Sequence, residues 1–350
     1  MTIKTIGIIG GGQLGRMLAM AAAKLGFKTI VLEPQADCPA AQVANRQIIA
    51  DYADSAALEA LAANCDVITY EFENVPVAAA HALERKIAVY PPAKALEVSQ
   101  DRLAEKQYLN ANGIATAPFR AVDSQADLDA ALADFGGQGV LKTRRFGYDG
   151  KGQRVFRTGD DATGGYEALG SVPLILEGFV AFEREISIIA ARSQQGEIAC
   201  YDPAENVHLN GILHTSTLPA KISAETAKAA REAAVKLLSG MNYVGVVGLE
   251  LFLMQDGTLI ANEMAPRVHN SGHWTEAACA ISQFEQHIRA VAGLPLGTCE
   301  RHSACVMTNL IGDDINAIGD WLARSNVVIQ LYGKAEARPG RKMGHVTQLL

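Results

Sequence analysis

The 350-residue chain contains no apolar run of 18 residues, so no membrane-spanning helix is expected. From Met1 it passes directly into a strand-like stretch, which argues against a signal peptide. Basic residues are in deficit, 31 Lys and Arg against 38 Asp and Glu, for a net charge of −7. That balance offers no footprint for a nucleic-acid backbone, and any anionic ligand must be met by local Lys and Arg. No two of the six cysteines (Cys38, Cys65, Cys200, Cys279, Cys299 and Cys305) form a C-x-x-C pair. They are expected to be reduced thiols of a cytoplasmic protein, with no structural zinc. Internal repeats, low-complexity tracts and the G-x-x-x-x-G-K-[ST] phosphate loop are also missing. What remains, 49% hydrophobic and 20% charged residues, fits a globular enzyme of two or three domains.

The first motif present is "IIGGGQLGRML", in which Gly10, Gly12 and Gly15 satisfy G-x-G-x-x-G. An apolar run precedes it and a helix-like stretch over 13–25 follows, the setting in which backbone amides approach a phosphate. Glu33 ends the next apolar run, where a ribose-reading acid would sit. Alone, this motif suggests a nicotinamide or flavin enzyme.

Residues 1–98 alternate strand-like runs (5–9, 29–32, 66–70, 88–90) with helix-like ones (13–25, 55–63, 77–85). The pattern predicts a Rossmann-like α/β domain on a parallel sheet, ended by Pro91-Pro92. A helix-favouring run follows, with Ser99 as the expected N-cap and Gly113 as its stop. Over 99–295, short β-rich runs interrupted by helices at 224–239 and 275–292 predict an α+β domain on antiparallel sheet. Residues 296–350 are expected to form a small β-rich C-terminal domain.

The stretch "VVGLELFLMQDGTLIANEMAPRVHNSGH" carries the strongest chemical signal. Asp256-Gly257 between two apolar runs reads as a two-residue hairpin turn. Counting outward pairs Gln255 with Thr258 and sets Glu250 opposite Glu263. Directly opposed carboxylates, with Cβ atoms about 5 Å apart, repel unless a cation or proton lies between them. Oxygen ligands of this kind suit Mg²⁺ completed by substrate phosphates. The alternative, two glutamates in water, conflicts with the apolar flanks Leu249, Leu251, Phe252, Leu253 and Ile260.

Other constellations are less specific. Lys142 stands inside an apolar strand and needs a partner. The loop after it, with Gly147, Gly150, Lys151 and Gly152, could fold over a polyphosphate or be a flexible basic hairpin. Glu177, Gly178, Phe179 and Val180 offer a polar edge and apolar walls for an adenine, or form a connector; Glu185 could accept ribose hydroxyls. Glu71 and Glu73 end the third strand, at the ligand side of a parallel sheet. Arg267, His269, Asn270 and Ser271 follow the glutamate strand. Lys334, Arg341 and Lys342 could receive a phosphate monoester or form a solvated basic tail.

Taken together, "GGGQLGRML", "YEFENV", "RRFGYDGKGQ", "EGFV", "NEMAPRVHNSGHWT" and "RKMGHVT" resemble, nearly end to end and in order, an ATP-grasp ligase family, the 5-(carboxyamino)imidazole ribonucleotide synthases of bacterial purine biosynthesis. The resemblance implies an ATP-grasp fold behind a Rossmann-like domain. It implies ATP among Arg102, Lys142, Gly147, Tyr148, Asp149, Gly150, Lys151, Gly152, Gln153, Glu177, Gly178, Phe179, Val180, Glu185, His208, Asn262 and Glu263. Mg²⁺, or Mn²⁺, would sit on Glu250 and Glu263. Aminoimidazole ribonucleotide would contact Gln13, Leu14, Glu73, Tyr148, Asp149, Arg267, His269, Lys334 and Arg341. Catalysis would fall to Arg267, Asp149, His269 and Lys142, with bicarbonate as co-substrate, carboxyphosphate as intermediate, and a homodimer as the assembly.

The glycine turn is then expected to meet the ribonucleotide's monophosphate. Many ATP-grasp enzymes carry Glu-x-Asn where this chain has Glu263-Met264-Ala265, which speaks against Asn262 as a direct metal ligand, since adjacent strand residues face opposite sides. The alternatives are another bicarbonate- or formate-using ATP-grasp ligase on a purine precursor, a nicotinamide oxidoreductase, or a non-catalytic nucleotide sensor.

Overall fold

The alternating pattern of the first hundred residues folds as β1 (Thr5–Ile9), α1 (Gln13–Lys24), β2 (Lys28–Leu32), β3 (Arg46–Ile48), α2 (Ser55–Asn64), β4 (Val67–Tyr70) and α3 (Val77–Glu84) in a computed structural model that describes residues 3–147 and 151–350. The four strands form a parallel sheet in the order β3-β2-β1-β4. Strand β3, "RQI", is too short and polar to stand out in the sequence. The run at 88–90 makes only one bridge, Val89 to Ile68, because Pro91 has no N–H with which to continue the ladder.

Helices α4 (Ala93–Ser99) and α5 (Arg102–Ala111) replace the single helix expected to start at Ser99. Ser99 ends one helix, and Asp101 caps the next by accepting the Leu103 N–H at 3.0 Å and the Ala104 N–H at 3.4 Å. The same carboxylate binds the Arg144 guanidinium at 2.9 and 2.6 Å, a partner 43 residues away that no local pattern reveals. Gly113, at φ +69°, lies just beyond the end of α5, as expected of a stop.

A small antiparallel sheet comes next: β5 (Phe119–Val122), α6 (Gln125–Asp134), β6 (Gly139–Thr143), β7 (Gln153–Phe156), α7 (Gly165–Ala168) and β8 (Leu174–Gly178), ordered β5-β8-β6-β7. The larger sheet holds β9 (Arg184–Arg192), β10 (Ile198–Cys200), β11 (Ala204–Leu209), β12 (Ile212–Leu218), β13 (Gly245–Leu253) and β14 (Leu259–Ala265), with α8 (Ala224–Gly240) between β12 and β13. The helix expected over 275–292 is broken into α9 (Thr275–Ala278) and α10 (Gln283–Val291), because Ser282 caps the second piece. The C-terminal segment adds β15 (Cys305–Ile311), α11 (Ile318–Leu322), β16 (Val327–Leu331) and β17 (Lys342–Leu349). These strands join the central sheet, as β15 pairs with the otherwise open edge of β12.

The parallel domain and the large sheet share one apolar cluster, in which Leu14, Met17 and Leu18 of α1 meet Phe284, Ile288 and Val291 of α10. Among the described residues, no helix is long and apolar enough to cross a membrane.

Candidate active site between three sheets

Glu250 and Glu263 do face each other across β13 and β14, but by another route than the one expected. The turn is one residue longer. Met254 N–H donates to Thr258 O at 2.9 Å and Gly257, at φ +84°, takes the left-handed position of a three-residue loop. From that loop the pairs run Leu253–Leu259, Phe252–Ile260 and Leu251–Ala261, a register that would set Asn262 opposite Glu250. A bulge at Asn262 shifts the ladder by one and returns Glu263 to Glu250.

The two half-buried carboxylates answer differently to being enclosed together. Burial, then the Glu263 charge, pushes Glu250 above the usual carboxylate range. Burial acts the same way on Glu263, but the Arg102 guanidinium, 3.0 Å from its Oε2, and Lys142 hold it below that range. Of the two, a negative charge on Glu250 is therefore the less well offset in the free chain.

Lys142 finds the partner its apolar strand demands. Its Nζ is 3.1 Å from Glu177 Oε2 on neighbouring β8, and Lys106 Nζ stands 3.2 Å from the same oxygen. Burial favours the neutral form of Glu177, yet Lys142 and Lys106 hold it lowered and ionised; burial pulls the Lys142 amine down. Gly152 keeps the base of the loop closed, since a Cβ there would come within 2.7 Å of Thr143 Oγ1. His208 Nδ1 lies 2.6 Å from Glu185 Oε2, and this carboxylate raises the imidazole against the opposing effect of burial.

At the mouth of the parallel sheet the glycine turn departs from expectation. Gly12 and Gly15 donate their N–H groups to Glu71 at 2.7 and 2.8 Å, and Gly11 donates to Glu33 at 2.8 Å. Glu33 also accepts the Tyr52 hydroxyl, so it is not free to read a ribose. The amides that would receive a phosphate are already bonded to two carboxylates, whose charges repel an anion. In this structure those amides are therefore not open to a dinucleotide or to the ribonucleotide's monophosphate. Beside it, Glu73 pairs with Arg267 from β14's end; burial alone would raise Glu73, and Arg267 instead brings it down to about 2. Burial, then the Arg267 charge, lowers His269 to about 3, which keeps it neutral.

A cavity of about 500 Å³ opens where the three sheets meet. Its walls bring together Gln13, Leu14, Glu73, Arg102, Lys142, Gly147, Gln153, Glu177, Gly178, Phe179, Val180, Glu185, His208, Glu250, Asn262, Glu263, Arg267 and His269.

Comparison with known proteins agrees with this geometry. Residues 107–284 match an ATP-grasp domain, 3–100 a ribonucleotide synthetase preATP-grasp domain, and 305–350 a phosphoribosylaminoimidazole carboxylase C-terminal domain. The N5-carboxyaminoimidazole ribonucleotide synthase of Brucella melitensis is 65% identical over 347 residues, covering 99% of this chain and 96% of the relative. That of Bacillus subtilis is 43% identical, covering 98% and 90%. An ADP complex of N5-carboxyaminoimidazole ribonucleotide synthetase superposes with a TM-score of 0.96 at 43% identity, covering 100% and 94%. The Aspergillus clavatus synthase, in complex with ADP and 5-aminoimidazole ribonucleotide, gives 0.93 at 32% identity, covering 99% and 94%. The chain belongs to the N5-carboxyaminoimidazole ribonucleotide synthase family.

As an ATP-grasp ligase of that family, the chain places its remaining expected residues less uniformly. Tyr148, Asp149 and Gly150 lie outside the described residues. Lys151 and Gly152 sit at the base of the loop. Glu71 and Ser271 are buried, Ser271 Oγ bonded to His269 Nδ1 at 2.9 Å. Lys334 and Arg341 stand off the cavity wall: Lys334 Nζ donates to Lys342 O at 2.7 Å and Arg341 to Glu336 O at 3.0 Å, while Lys342 itself reaches the wall. The sequence reading missed Glu105, Phe182 and Phe252, which also line the synthase cavity. Phe182 and Phe252 stack at 4.5 Å. Phe252, two residues past Glu250, was findable from strand period alone.

Proposed function

We propose that the chain carboxylates the exocyclic amine of 5-aminoimidazole ribonucleotide with ATP and bicarbonate, through carboxyphosphate, within the cavity just described. One observation carries the proposal. The cavity joins a cationic, carboxylate-bearing wall (Arg102, Lys142, Glu250, Glu263) to the ligand end of the parallel domain (Gln13, Leu14, Glu73). An apolar slot with one polar edge, Gly178, Phe179 and Val180 with Phe182 and Phe252, suits an adenine, and the buried Glu177 Oε1 has no hydrogen-bond donor among the described residues. Glu185 and His208 lie where a ribose would follow.

The paired carboxylates fit Mg²⁺ or Mn²⁺, because a cation would offset both the burial and the Glu263 repulsion that raise Glu250. Glu250 and Glu263 would hold it, and it would neutralise phosphate charge. Asn262, the bulged residue, is not proposed as a ligand. In the reaction, a bicarbonate oxygen attacks the γ-phosphorus and the bond to the β–γ bridging oxygen breaks, releasing ADP. Carboxyphosphate then loses phosphate to give CO₂, which the amine nitrogen attacks before shedding its proton. Arg102 and Lys142 steady the phosphates. Arg267, neutralised by Glu73 in the free chain, is placed to hold bicarbonate; Gly147, Lys151, Gly152 and Gln153, with Tyr148, Asp149 and Gly150, would cover the intermediate and exclude water. Asp149 or neutral His269 would receive the amine proton. Lys342, with Lys334 and Arg341 swinging in, would take the ribonucleotide's phosphate.

Bicarbonate-dependent ADP release stimulated by aminoimidazole ribonucleotide is the expected result. Dependence on formate instead would move the chain to a different ligase reaction, and nucleotide binding without turnover would leave a sensor. The reading also carries a cytoplasmic homodimer, to be checked by fractionation and by light scattering.

A further inference from the structure

The bulge that brings Glu263 opposite Glu250 is not held by the hairpin. A three-residue loop left to itself keeps the register in which Asn262, not Glu263, opposes Glu250. The extra residue is secured from outside the sheet, by α5. Lys106 Nζ donates to the Asn262 carbonyl at 2.6 Å, and Glu105 Oε1 accepts the Met264 N–H at 2.5 Å. Arg102 Nη1 donates to Glu263 Oε2 at 3.0 Å. Positions 102, 105 and 106 share one helical face, so three consecutive strand residues are each gripped by a different side chain of one helix. Just before the bulge, Ala261 N–H donates to Ala115 O at 2.7 Å, in the segment that follows α5.

Both new residues are almost wholly buried, Glu105 at 2% and Lys106 at 1% exposure. Polar groups at such depth are costly to desolvate, and an apolar pair of similar volume would pack a helix on a strand at lower cost. Their polar ends meet the backbone of the bulge itself. Register is the property that such buried polar contacts are best placed to decide.

We propose that Glu105 and Lys106 are positioning residues for phosphoryl transfer, selecting the bulged register that stands Glu263 against Glu250. The inference rests on the reading that this carboxylate pair serves the nucleotide's divalent cation. Glu105→Leu removes the acceptor for Met264 N–H, while Glu105→Gln keeps an oxygen there. Binding of Mn²⁺ in the presence of ADP, followed by electron paramagnetic resonance, reads the pair without turnover. Binding of ADP in excess chelator reads the rest of the pocket, and thermal unfolding reports the fold.

Glu105→Leu is expected to weaken Mn²⁺ about ten-fold or more, as loss of a ligand-orienting contact does. Glu105→Gln should recover most of that affinity, and metal-free ADP binding should be unchanged in both. A folded Glu105→Leu protein with undiminished Mn²⁺ affinity overturns the proposal, as does equal loss of metal-free ADP binding. Should Glu105→Leu not fold, Glu105→Met, closer in shape to the glutamate, decides with the same readouts. An unmodified chain that binds ADP but no Mn²⁺ overturns the metal reading itself, and this inference with it.

Discussion

Glu263, half-buried in the cavity wall, remains ionised because Arg102 offsets the desolvation that would protonate it. Glu263→Gln keeps the volume and removes the charge. We predict that it leaves thermal unfolding near that of the unmodified chain but cuts ADP release on the order of 10²-fold or more, as loss of one preorganised transition-state contact does. A near-normal rate would refute the role given to this carboxylate. Lys334 makes a second residue-scale test. Burial, then the Arg341 charge, pushes its amine down to about 8. The charge is full below that value and lost as pH rises through it, so attraction for a phosphate fades on the alkaline side. KM for aminoimidazole ribonucleotide should climb between about pH 7 and pH 9, and Lys334→Arg, which stays charged, should flatten the climb. Parallel profiles for the two proteins would remove Lys334 from phosphate binding.

Single elements depend on partners far along the chain. Asp101 caps α5 and also grips Arg144, so it ties the helix that steadies the bulge to the strand that carries Lys142. Asp101→Ala should cost about 2 kcal/mol in urea unfolding, from loss of the cap and of a charge-assisted pair. Asp101→Asn, which can still cap, should cost less; equal losses would show that the cap adds nothing. At this scale the sequence was legible where a period or a turn residue spoke. The parallel strands, the hairpin and the end of α5 at Gly113 all followed from such signals. It misled at Ser99, because Arg144 reaches Asp101 only after folding, and at the length of the Asp256-Gly257 turn, because a left-handed glycine closes a three-residue loop as readily as a two-residue one. Glu71 shows the same limit: nothing local to "GGGQLG" announces a carboxylate from 59 residues away bonded to the Gly12 amide.

At the scale of the molecule, a buried imidazole ties the parallel domain to the ATP-grasp sheet. Val246 N–H donates to His287 Nδ1 at 3.1 Å, leaving Nε2–H to donate to Thr69 Oγ1, 2.8 Å away. Burial lowers His287 to about 3, so the folded chain holds it neutral while the unfolded chain protonates near its ordinary value of 6.5. Its contribution to stability is complete above about pH 6.5 and declines as pH falls towards 3, by up to about 1.4 kcal/mol per pH unit. The stability difference between the unmodified chain and His287→Gln should therefore narrow between about pH 7 and pH 5. A constant difference would mean that the imidazole is not held neutral at the domain junction.

The βα alternation of the first domain, the family and the identity of the two opposed acids were legible in the linear chain, because apolar period, glycine spacing and motif order act over short distances. The tertiary structure decided what occupies the glycine turn, which helix caps beside the small sheet, and how Glu263 comes to face Glu250. Each of these is a buried polar group choosing among backbone partners, and that choice exists only once distant segments have shut water out.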